Sequence, residues 1–286
     1  MNQINIGFNG EKMKDICKDL ADEYAALDDM VKDLDADGWQ TVTPFYNWTI
    51  KDEISHLAYF DNTACLSATD SEAFAAEVEK ILQGITSFDD VFKNVNAIGG
   101  AMSDADLLAR WRKARAELVA GFEALKPDTR VPWYGPSMSA RSSATARIME
   151  TWAHGQDIAD ALKINRPGTD RLKHIAFLGV STFKWSFKNR EMVVPDQPVR
   201  VSLISPSGEQ WAWGPEDAEN VVSGSALDFC LVVTQRRNAS DTGLKIQGDI
   251  AGQWIQIAQA FAGPPADAPA PGVRKNVYSH KGISHV

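Results

Sequence analysis

The chain has 286 residues, 44% hydrophobic and 23% charged, with a formal net charge of −9. That length accommodates two domains with a core in each, and the composition excludes a disordered or fibrous chain. No run reaches the ~18–20 apolar residues of a membrane span, and Met1-Asn-Gln-Ile-Asn-Ile-Gly lacks the basic and apolar regions of a signal peptide, so a cytoplasmic location is expected.

Glu11 to about Leu34 reads as helix, with Met13, Ile16, Cys17, Leu20, Tyr24, Leu27 and Val31 recurring at steps of three and four. Gly38 ends that region, and Trp39 to Trp48 is an aromatic-rich connector broken at Pro44. Thr49 is an N-cap with Asp52 at the third helical position, opening a helix from Ile50 to about Ala68. A short helix from Ser71 to about Gln83 follows, then an ambiguous stretch to Ile98 and a break at Gly99-Gly100. Ser103 with Asp106 opens a helix to about Leu125, the three prolines of 127–139 mark a loop, and Ala140 to about Lys163 is helical again. Four long amphipathic helices with irregular connectors make a bundle.

Asn165-Arg-Pro-Gly168 marks the boundary, giving domains at 1–165 and 166–265 and a flexible tail at 266–286. Arg171 to Phe187 reads as one helix; 199–204, 210–214 and 220–225 are strands, the first two joined by a hairpin at Pro206-Ser-Gly208. Ala226 to Thr234 is assigned to helix on its length and spacing, and Ile250 to Ala262 is a final helix. The fold class is therefore a two-domain α+β protein, a four-helix bundle followed by a small α+β domain. Residues 1–165 carry 16 basic and 27 acidic side chains and the remainder 13 and 11, so neither part offers a basic groove for nucleic acid. Cys17, Cys65 and Cys230 are widely spaced, as reduced thiols are, and form no C-x-x-C motif.

Glu150 and His154 stand four residues apart, on one face of a helix, where a carboxylate and an imidazole can share a metal ion. His56 is the candidate third ligand. Of five histidines, His280 and His285 lie in the tail, whereas His56 and His154 are on long bundle helices. Two histidines and one carboxylate make up an open catalytic zinc site; against this, a helical histidine among apolar residues is more often simply packed. Asp157, one turn after His154, is a candidate second-shell acceptor or proton-transfer group. Arg236-Arg237 suits recognition of a carboxylate or phosphate, or equally the C-terminus of a helix. Trp185, Trp211 and Trp213 read as core more readily than as an organic pocket, and Cys65 is assigned no role.

Asn47-Trp-Thr-Ile-Lys-Asp52, Ile54-Ser-His-Leu-Ala-Tyr-Phe-Asp61 and the run Glu150-Thr-Trp-Ala-His-Gly-Gln-Asp to Leu162 together resemble the DinB/YfiT-like metal-binding bundle. Within it, the nearest likeness is to the N-terminal domain of mycothiol-dependent maleylpyruvate isomerases. The resemblance implies a divalent metal, usually zinc, on His56, Glu150 and His154, with Asp157 at the family's acidic position. The runs 223–237 and 251–263 resemble an uncharacterised two-domain subfamily. One departure concerns substrate: the isomerases use an arginine between the first histidine and the Glu–His helix, and residues 60–109 contain none.

These readings lead to an expected metalloenzyme acting on a small organic acid or acyl compound with a low-molecular-weight thiol. The thiol would be bound as thiolate by the metal, in an isomerase or S-transferase reaction, with Asp157 moving a proton and Arg236 or Arg237 holding a carboxylate. The alternatives are a hydrolase or lyase activating water at the metal, and a non-catalytic metal-binding protein that captures a ligand. Neither a nucleic-acid nor a membrane partner is expected, and homo-oligomers are left open.

Overall fold

A computed structural model describes residues 12–274. The opening residues through Glu11, His280 and His285 lie outside the described residues. The chain divides into two compact units, the first ending at Leu162 and the second beginning at Lys163. Among the described residues no helix is long and apolar enough to cross a membrane.

The first unit contains α1 (Met13–Val31), α2 (Ala36–Trp39), α3 (Ile50–Thr69), α4 (Ser71–Leu82), α5 (Phe88–Gly100), α6 (Asp104–Glu123) and α7 (Ala140–Leu162). Its core is the bundle formed by α1, α3, α6 and α7, where the apolar stripes meet. Ile16, Leu20 and Leu27 pack with Ile54 and Leu57, Trp111, Leu118 and Phe122, and Ile148 and Ile158. Each such side chain contributes roughly 1.5–3 kcal/mol by leaving water. Gly38 lies inside α2 and does not close the preceding helix, since Asp35 caps that short turn by accepting from the Gly38 amide at 2.8 Å.

Three helices begin alike. Thr49 and Asp52, on α3, cap each other reciprocally, as do Ser87 and Asp90 on α5, and Ser103 accepts from the Asp106 amide at 3.1 Å on α6. These bonds satisfy amides that the first helical turn leaves free. The stretch to Ile98 is therefore helical, and Gly99-Gly100 forms its last turn where the sequence suggested a break. Gly99 is needed for approach, because a Cβ there would lie 1.8 Å from Ser55 Oγ on α3. The proline loop contains a two-residue hairpin, β1 (Arg130–Val131) with β2 (Met138–Ser139).

In the second unit, α8 (Leu172–Ser181) and α9 (Phe183–Lys188) replace the single helix expected over 171–187. At the junction Thr182 Oγ1 donates to the Leu178 carbonyl at 2.9 Å, and Thr182 leaves helical geometry at φ −88°, ψ 7°. A hydroxyl bonded back to the carbonyl four residues earlier slightly destabilises and often bends a helix. The sheet is ordered β4 (Gln210–Trp213), β3 (Val199–Ile204), β5 (Asn220–Ser225), β6 (Lys245–Gln247); β3 and β5 run parallel and the other neighbours antiparallel. Val201, Leu203, Trp211, Trp213 and Val222 alternate onto its buried face. α10 (Ala226–Val233) and α11 (Asp249–Ile257) complete the unit. α11 stops short of the expected Ala262. Beyond it, Ala260 N donates to the Val233 carbonyl at 2.8 Å, and the buried Gln259 side chain donates to the Phe261 and Pro264 carbonyls.

Candidate metal centre

α3 and α7 place four polar side chains at one level of an otherwise apolar bundle. His56, one turn after Glu53 on α3, directs Nε2 at Glu150 Oε2, 3.6 Å away. On α7, His154 Nε2 approaches the same Glu150 oxygen at 3.2 Å. The imidazole rings lie 4.4 Å apart by their centroids. One ligand atom from each of His56, Glu150 and His154 lies within 4.8 Å of the others, so these three form a metal-sized group.

The opposite nitrogen of His154 is held by a residue that the sequence reading passed over. Nδ1 lies 2.6 Å from Glu53 Oε2, and Thr43 Oγ1 donates to the other Glu53 oxygen at 2.7 Å. Glu53 is fully buried. A carboxylate on the far nitrogen fixes ring orientation and tautomer and makes the facing nitrogen a better donor. Its sequence signal was the Glu53-x-x-His56 spacing, which puts both residues on one helix face. Asp157 is also buried and forms a second group of three with Glu53 and His154.

Burial and the neighbouring His154 push the His56 pKa down to about 3. Burial also works against a charge on His154, but hydrogen bonds with Glu150 and Glu53 prevail and raise it to about 9. For Glu150 burial is likewise overcome, and the two histidines hold its carboxyl well below the usual range. A protonated His154 thus bridges the buried Glu53 and the partly exposed Glu150. Two imidazole nitrogens and a carboxylate converging on one point, backed by a second carboxylate, fit a divalent cation, which would take the place of the His154 proton.

Aromatic rings surround the imidazoles. Trp48 stacks on His154 at 8° and 6.1 Å, Phe45 meets His154 edge-on at 5.2 Å, and Phe60 and Phe92 lie 4.7 and 5.7 Å from His56. Phe45 and Trp48 are set in place by a strained turn. Tyr46 and Asn47 take φ of 48° and 57°, a left-handed geometry costing a bulky residue roughly 1–2 kcal/mol. The Trp48 amide closes that turn by donating to the Phe45 carbonyl at 2.9 Å.

Arg236 and Arg237 follow α10 in the second unit. Both are buried, and each donates from Nη1 to a backbone carbonyl, of Thr234 and Arg236 respectively, at 2.8 Å. Trp211 and Trp213 are core residues, while Trp185 is 42% exposed. Cys65 packs against the bundle core, apart from both metal-sized groups.

The family model described as the mycothiol maleylpyruvate isomerase N-terminal domain matches residues 20–159, and one described as wyosine base formation matches residues 195–242. Two uncharacterized proteins of Mycobacterium tuberculosis, from strains CDC 1551 and H37Rv, are each 44% identical over 248 residues, covering 86% of this chain and 95% of theirs. Among solved structures, the mycothiol-dependent maleylpyruvate isomerase aligns with a TM-score of 0.54 at 15% identity, covering 84% of this chain and 94% of that one. A histidine-to-alanine mutant of that enzyme aligns with a TM-score of 0.56 at 16% identity, over 80% and 91%. At that identity the likeness concerns the fold, a helical N-terminal domain followed by a second, mixed one. The chain belongs to one family with the two mycobacterial proteins, a family whose N-terminal bundle is of the DinB/YfiT-like, mycothiol maleylpyruvate isomerase type.

Proposed function

We propose that the protein is a divalent-metal-dependent enzyme, with zinc on His56, Glu150 and His154, that uses a low-molecular-weight thiol to isomerise or transfer onto a small organic acid or acyl compound. The observation carrying this reading is the convergence of His56 Nε2 and His154 Nε2 on Glu150 Oε2, at 3.6 and 3.2 Å, with Glu53 behind His154. Bound there, zinc would lower the pKa of a thiol so that it meets the substrate as thiolate. The chain's own residues supply the rest. Glu53 orients His154, and Asp157 is the proton-moving group of this reading. Trp48, Phe60 and Phe92 exclude water from the ligand face, and partly exposed Glu150, at 24%, leaves an approach to it. Arg236 and Arg237 are the anion-binding groups of the second unit in this reading. The family relation supports thiol dependence, since the isomerase whose fold the chain shares is described as mycothiol-dependent.

The test is metal analysis of the purified protein, with His56→Ala and His154→Ala as controls, followed by thermal-shift titration with mycothiol and other small thiols. One metal per chain, lost in both variants, with a thiol-induced shift only in the loaded protein, is expected. Wild-type protein without stoichiometric metal would sink the reading. A shift with acyl thioesters but with no free thiol would replace thiol chemistry by hydrolysis.

A further inference from the structure

We infer that Arg147 is an anchor for one carboxylate of a small organic acid bound beside the metal group, an inference that rests on the organic-acid reading of this site. Arg147, Glu150 and His154 follow at steps of three and four on α7, so the guanidinium stands one turn from a ligand on the same face. It is 3% exposed.

Arginine–carboxylate pairs are frequently bidentate, a fork of two N–H groups on one carboxylate. The exposed Arg112 forms such a fork on Asp28, from Nε at 3.1 Å and Nη2 at 2.9 Å. Arg147 does not. Only its Nε meets Asp61 Oδ1, at 2.9 Å, an oxygen already taking the Tyr24 hydroxyl at 2.6 Å. The second oxygen is occupied by Trp111 Nε1 at 3.1 Å. Arg147 Nη2 is consequently buried with no acceptor. A buried charged donor without a protein acceptor calls for an outside one, such as an anion or an ordered water.

Phe60 connects this level to the metal group, its ring 4.7 Å from His56 and 5.7 Å from Tyr134. The Tyr134 hydroxyl is buried next to those of Tyr59 and Thr63. The unpaired Arg147 Nη2 thus stands one helical turn from Glu150. Asp61 already balances part of the Arg147 charge, so a single carboxylate suits this place better than a phosphate dianion. The departure noted in the sequence, no arginine over residues 60–109, is thereby answered by an arginine on the Glu–His helix itself.

The experiment is calorimetric titration of maleate into zinc-loaded and chelator-stripped protein, wild type against Arg147→Lys and the charge-balanced double variant Asp61→Asn with Arg147→Met. Wild type is expected to bind maleate with or without zinc, and both variants to bind about 10- to 100-fold more weakly with zinc content unchanged. Guanidinium resonances of Arg147 in nitrogen-edited NMR spectra of wild type should shift and exchange more slowly on adding maleate, which requires no substitution. Equal affinity in wild type and variants, unmoved resonances, or no maleate binding by wild type would overturn the inference. Maleate binding through Arg147 in a protein that never takes up zinc would instead defeat the metal reading alone.

Discussion

Replacing Glu53 by glutamine should weaken metal binding in a pH-dependent way. The amide keeps the shape of the side chain, and its carbonyl can still accept from either Thr43 or His154, but the charge 2.6 Å from His154 Nδ1 is gone. Loss of such an outer carboxylate costs about 10- to 100-fold in metal affinity, roughly 1.4–2.7 kcal/mol. A second effect has the opposite sign. In wild type the metal must displace a proton held on His154 up to about pH 9, so affinity falls about tenfold for each pH unit below that value. Glu53 is one of the groups raising the His154 pKa; without it the proton leaves at lower pH and competes less. The two proteins should therefore differ most above about pH 9 and converge toward neutrality. Competition with a chromophoric chelator across the pH range measures both curves. Equal affinities in the alkaline range, or a gap that widens as pH falls, would refute the role given to Glu53.

Two further outcomes follow from packing and charge. Gly99→Ala forces a methyl into Ser55; overpacking of about 1–3 kcal/mol outweighs a helix-propensity gain of about 1, so the denaturation midpoint should fall. Gly100→Ala meets nothing within 4 Å and should leave stability unchanged or raise it by up to about 1 kcal/mol. Asp28 is pushed up by burial, but hydrogen bonds from Arg112 and Arg115 prevail and hold it below the usual carboxylate range. A depressed pKa stabilises the fold above the unfolded value and loses that contribution as pH falls through the folded one. Stability followed by circular dichroism should accordingly fall more steeply with acid in wild type than in Asp28→Asn, which should be less stable than wild type at neutral pH with the difference vanishing in acid.

The helices were readable where local chemistry decides them. Thr49 with Asp52 and Ser103 with Asp106 mark their N-termini because a cap and its partner are three residues apart. Ser87 with Asp90 bears the same mark on the stretch left ambiguous, where two terminal glycines outweighed it. Those glycines follow a tertiary need, the approach of α5 to Ser55, and propensity cannot express that. Similarly, the apolar run over 171–187 shows a helix but not the Thr182 hydroxyl turning onto Leu178. β6 is three exposed residues with no alternation to detect.

Within the site, the same division separates what one helix contains from what two helices share. Glu150 and His154 are neighbours on α7, so their spacing alone suggests a common ion. Glu53 meets His154 across 101 residues of sequence and Asp61 meets Arg147 across 86, and no local pattern pairs them. The pairs are nevertheless not independent. α3 and α7 run antiparallel here, so a step forward on one is met by a step back on the other: Glu53 with His154, His56 with Glu150, Asp61 with Arg147. A single register between two helices therefore sets the metal group, the carboxylate behind it and the buried arginine ahead of it. The supposition that His56 and Glu150 share one ion already implies that register. Taken one turn either way along both helices, it leads to Glu53 and to Arg147, the two residues that spacing on one helix had left without roles.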